Sequence, residues 1–126
     1  MDTLIKPEQL RDICQHTANT VTKKTAGIVL ELGSGPPDQT DVCTVYTTFE
    51  RGADFSLALT AEPSFFERLC RQIIRQEQVD EQDIEDTAIE YFNVLCGGIA
   101  VALYKATKTA ARFQIPKFYH GAHRPN

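Results

Sequence analysis

The chain has 126 residues, 42% hydrophobic and 24% charged, which predicts one globular domain (1–126) with one hydrophobic core. A net charge of −4 argues against a nucleic-acid partner, and no apolar run reads as long enough to span a bilayer. The N-terminus MDTLIKPEQL lacks the basic start and apolar run of a signal peptide, so a cytoplasmic protein with no membrane partner is expected.

In chain order, residues 7 to about 24 read as a helix. Pro7 suits a first-turn position, and Leu10, Ile13, Cys14, Thr17 and Val21 recur at helical spacing. Gly27 breaks that pattern, and 28–32 form a short strand-like run. The segment GSGPPDQTD, 33–41, is rich in turn formers. Residues 42–49 read as a strand of β-branched and aromatic side chains. The stretch 50–53 is a hairpin connection with Gly52, and 54–60 (DFSLALT) returns with Phe55, Leu57 and Leu59 on one face. A helix from Pro63 to about Gln76 carries Phe65, Phe66, Leu69, Cys70, Ile73 and Ile74 on its apolar side. A polar joint then leads to a long helix, about 81–109. Residues 111–119 form a last strand interrupted by Pro116, which suits a sheet edge. Residues 119–126 are a polar tail. This order predicts an α+β fold, an antiparallel sheet covered on one face by helices. A sheet edge left open makes a homodimer the expected assembly.

The long helix carries the chemistry. Taking Glu90 as zero on a 3.6-residue helix, Asp86 lies at about −40°, Asn93 at about −60° and Gly97 at about −20°. Val94, Gly97, Val101 and Tyr104 fall within about 40° of Glu90 by the same period. Ala88, Ile89, Phe92, Leu95, Cys96, Ile99, Ala102 and Leu103 mostly fall on the other side, the core face. A carboxylate and a carboxamide therefore sit side by side, pointing away from the core. Seven acids lie between Glu77 and Glu90 with no Lys or Arg, and no acid follows Glu90. Helix electrostatics accounts for most of that asymmetry, because acids stabilise a helix N-terminus and bases a C-terminus.

The motif Asp86-x3-Glu90-x2-Asn93-x3-Gly97, following a hairpin, a Pro-started helix and an acidic joint, resembles the signature of the chemotaxis phosphatases CheX, CheC and FliY. Ile115-Pro116 and Gly121 extend the resemblance, which covers about 7–121. A single motif copy is most similar to a CheX-like domain. The resemblance implies further strands, whereas this chain stops at Asn126, so a sheet shortened at its C-terminus is expected. It also implies hydrolysis of an aspartyl phosphate on a CheY-type receiver domain. Asn93 would orient the attacking water, and Glu90 would pair with a receiver lysine. Asp86, Val94, Gly97, Val101 and Tyr104 would line the docking face. The chain would carry no cofactor of its own, and Mg²⁺ would be held by the receiver. The alternative is a non-catalytic dimeric adaptor that uses the same helix face.

Other candidates are weaker. Cys14, Cys43, Cys70 and Cys96 are spread singly with no CxxC pair and read as small buried hydrophobes. His120 and His123 are three apart but have no acid or cysteine beside them in sequence, and His16 reads as a surface or boundary residue. Gly33-Ser34-Gly35 lacks the Lys-Ser/Thr ending of a phosphate loop.

Overall fold

The computed structural model describes residues 6–28, 42–50 and 55–121. Helix α1 spans Pro7–Ala26, with Pro7 in its first turn and Gly27 closing it at φ 67°. The Gly27 N–H donates to the Lys23 carbonyl at 2.9 Å, a left-handed cap that glycine adopts without a Cβ clash. Strand β1 (Cys43–Glu50) pairs antiparallel with β2 (Phe55–Ala61), from Cys43 opposite Ala61 to Phe49 opposite Phe55. Helix α2 (Pro63–Ile74) ends at Arg75, itself left-handed. Helix α3 runs Glu81–Thr107, opened by Asp80, whose side chain accepts from the Asp83 N–H. The strand expected over 28–32 (apart from buried Ile28), the 33–41 loop, the tip of the hairpin connection and the tail beyond Gly121, with His123, lie outside the described residues.

The last expected strand is two short ones. β3 (Arg112–Phe113) and β4 (Lys117–His120) both pair antiparallel with β1, opposite its two ends. Pro116, which has no N–H to give a ladder, sits buried in the gap between them. The Thr47 hydroxyl satisfies the Gln114 carbonyl in that gap, and the Gln114 N–H donates to Thr48. β1 is therefore central, with β2 on one side and β3 and β4 on the other.

Cys43, Val45 and Phe49 of β1 turn toward the helices. They form one core with Phe66 and Leu69 of α2 and Ala88, Phe92, Leu95, Cys96, Ile99 and Leu103 of α3. Tyr46, Thr48, Ser56 and Tyr119 face the other way and keep contact with solvent. Tyr46 and Tyr119 stack there with ring centroids 5.4 Å apart. The result is the expected α+β architecture, with α3 lying between α1 and α2 and against β1 and β4.

By length and composition α3 is apolar enough to cross a membrane, which corrects the reading that no segment here reaches that limit. One side of it is used internally, while Val94, Val101 and Tyr104 stay exposed. Thr87, Ala88, Tyr91, Phe92, Leu95, Cys96, Ile99, Leu103 and Thr107 are all buried against the rest of the fold, as in the central helix of a packed domain.

Candidate functional site

The exposed stripe of α3 follows the helical period. Asp86, Glu90 and Asn93 are exposed. Val94, Val101 and Tyr104 are 47%, 56% and 52% exposed. Gly97 is half-exposed. All seven residues picked out by spacing thus share one surface, about 27 Å long from Asp86 to Tyr104 at 1.5 Å per residue. Asp86 accepts from Gln82 Nε2 at 2.8 Å. Neither Glu90 nor Asn93 makes a side-chain hydrogen bond or ion pair with the described residues. A carboxylate and a carboxamide one turn apart therefore spend none of their side-chain bonding capacity on the described residues.

What fixes this stripe lies behind it. Tyr91, next to Glu90, is buried, and its hydroxyl shares a hydrogen bond with Thr22 of α1. Burial pushes the Tyr91 phenol above its usual range. The Thr22 hydroxyl also donates to the Ala18 carbonyl at 2.6 Å. The core face read from spacing omitted Tyr91. Its offsets of three and four from Ala88 and Leu95 were the available signal. The two glycines separate. A Cβ on Gly98 would lie 2.8 Å from Thr17 Cγ2 of α1, whereas a Cβ on Gly97 would meet nothing within 4 Å. Gly98 serves the α1–α3 contact, and Gly97 faces outward.

Cys43, Cys70 and Cys96 are buried and Cys14 is half-buried. Burial, with a smaller contribution from nearby Cys14, pushes the Cys96 thiol up to about 12, so it is an inert core group. His16 is exposed on α1. His120 places Nδ1 3.8 Å from Cys43 Sγ and sets its ring edge-on to Phe118.

Among the described residues, three clefts lie elsewhere, and Glu90 and Asn93 line none of them. One, about 600 Å³, is floored by Cys43, Phe66 and Phe118 and rimmed by Glu67 of α2 and by Asp80 and Glu81 at the N-terminal end of α3. A second, about 590 Å³, gathers Lys23, Lys24, Arg71 and Arg75 at the C-terminal ends of α1 and α2. In both, the charge has the sign that compensates the adjoining helix dipoles. The third, about 190 Å³, is an apolar gap between α1, β2 and α3. The candidate site lies on an exposed helix face, outside these clefts.

No family model and no curated protein sequence matches the chain. Solved structures do. A CheX chemotaxis protein from Desulfovibrio desulfuricans superposes with a TM-score of 0.76 at 16% identity, over 92% of this chain and 80% of that one. A CheX–CheY–BeF3–Mg complex from Borrelia burgdorferi gives 0.76 at 16%, over 90% and 78%. A CheC-like superfamily protein from Shewanella sp. PV-4 gives 0.68 at 17%, over 95% and 80%. The fold is that of the CheX and CheC chemotaxis proteins.

Proposed function

We propose that the protein is an aspartyl-phosphate phosphatase that docks the exposed face of α3 onto a phosphorylated CheY-type receiver domain. The observation that carries this reading is the pair Glu90 and Asn93. Both are exposed, bonded to nothing described within the chain, and flanked by exposed Val94, Val101 and Tyr104. A solvated helix face carries more charge than this one, and tyrosine is enriched at protein interfaces. A CheX of the same fold has been solved with CheY, beryllofluoride and magnesium, which supports the choice of partner.

The chemistry asked of the chain is small. Phosphoryl transfer depends mainly on positioning and on stabilising charge that the receiver and its Mg²⁺ already surround. Water forms a new bond to phosphorus as the bond to the aspartyl oxygen breaks. The products are a free carboxylate and orthophosphate, with the water's proton passing to phosphate or solvent. Asn93 accepts from and donates to that water without bringing negative charge toward the phosphoryl oxygens. Glu90 pairs with a receiver lysine and sets register. Asp86, Gly97, Val94, Val101 and Tyr104 complete the contact. The expected assembly is a homodimer. Among the described strands β2 pairs on one side only, its residues Phe55–Ala61 carry no charge, and such an edge is a template for pairing. The test is loss of phosphate from a purified receiver with Mg²⁺, with and without the protein, and with Asn93→Ala as control.

A further inference from the structure

We propose that Gly97 is the seat on which the receiver's docking element rests, its missing side chain setting the depth at which Asn93 reaches the phosphoryl group. This rests on the reading above and names a positioning residue within it. The two adjacent glycines of α3 both weaken a helix relative to alanine, but the fold needs only one. At Gly98 a Cβ would collide with Thr17 of α1 at 2.8 Å. At Gly97 a Cβ would meet nothing within 4 Å, and the backbone is ordinary helix with no positive φ. Among the described residues, neither packing nor conformation calls for glycine there.

Outside the chain there is a use. The positions three and four away from Gly97 are Asn93, Val94, Ala100 and Val101, which surround it on the helix surface. Asn93, Val94 and Val101 are exposed and Ala100 is half-buried. They make a shallow hole with three apolar sides and one carboxamide. Holes of this kind take a single apolar side chain from a facing element. The occupant is therefore a receiver surface that carries an apolar side chain for the Gly97 hole and a cation for Glu90. Asn93 is one turn away, about 6 Å along the axis. The height at which the partner sits on Gly97 is thus passed directly to the carboxamide. A methyl group would lift the partner by roughly one carbon–carbon bond, about 1.5 Å. A misplacement of about 1 Å can lower a rate on the order of 100-fold.

The experiment compares the full chain with Gly97→Ala, Gly97→Gln and Gly98→Ala in three measurements. These are thermal unfolding, affinity for a beryllofluoride- and Mg²⁺-loaded receiver, and single-turnover loss of phosphate from the phosphorylated receiver. Gly97→Ala is expected to raise the unfolding midpoint by about 4 °C. It should lower the dephosphorylation rate about 100-fold while affinity falls less than about tenfold. Gly97→Gln should also weaken binding by at least about tenfold, because it overfills the hole. Gly98→Ala should lower the midpoint. Wild-type rate and affinity in both Gly97 variants would overturn the inference while leaving the phosphatase reading in place. A lower unfolding midpoint for Gly97→Ala would overturn it too, by showing that the fold itself needs glycine there. A wild-type protein that neither binds nor dephosphorylates receivers would remove the underlying reading instead.

Discussion

In the proposed reaction Asn93 is an amide at a place where a carboxylate would repel the phosphoryl oxygens. Exposed and with no bond to the described residues, it has donors and an acceptor available at once. Asn93→Ala should lower receiver dephosphorylation by on the order of 100-fold, the usual loss when one positioned hydrogen-bonding group is removed. The unfolding midpoint should stay put, since the side chain is exposed and makes no bond to the described residues. Glu90→Lys should weaken docking and reverse its salt dependence, as charge reversal at an exposed contact does, and binding titrations at low and high salt measure both. Cys96 gives a pH prediction independent of function. Its thiol has a usual value of 9.0 and is pushed up to about 12 in the folded chain. Between these values the unfolded state binds fewer protons than the folded one, so stability falls as pH rises. The contribution is complete below about pH 9 and lost by about pH 12. Unfolding curves across that range should show the decline, and Cys96→Ala should flatten it.

Helix α3 holds the site at the right attitude because α1 is fastened along its back. Thr17 packs on Gly98, and Thr22 bonds Tyr91. Gly98→Ala forces Thr17 to give way and should destabilise the fold by roughly 1–3 kcal/mol. Tyr91→Phe removes a buried bond and should cost about 1 kcal/mol. Chemical denaturation reads both. The exposed stripe from Asp86 to Tyr104 was legible in the sequence, because a single helical period decides which side of a straight helix faces solvent. The element order and the central hairpin were legible through β-branched runs and proline-started helices. The buried role of Tyr91 and the separate jobs of Gly97 and Gly98 were not. They depend on where α1 crosses α3, and that crossing is a tertiary contact with no trace in local periodicity. The split of the last strand into Arg112–Phe113 and Lys117–His120 was half legible. Pro116 marked an interruption, but its burial between two segments paired to β1 required the sheet.

At the scale of the molecule, the candidate site lies on an exposed helix face, away from the three clefts among the described residues. The described residues there form no cleft to enclose a small substrate, whereas the proposed partner, which holds its own phosphoryl group, needs only a surface to meet. The acids along the first half of α3 stabilise its N-terminus and give the docking face an acidic end, followed by the apolar stretch of Val94, Val101 and Tyr104. Substituting Tyr104 with aspartate at that apolar end should abolish binding to a beryllofluoride-loaded receiver and leave folding intact. An adaptor would lose binding in the same way, so binding alone does not separate the two functions. The decisive measurement is a dephosphorylation time course of a phosphorylated receiver with Mg²⁺, run with wild-type protein and with Asn93→Ala at matched binding. The phosphatase account predicts faster loss of phosphate with wild type and near-basal loss with the variant. Equal rates for wild type, variant and receiver alone would contradict it.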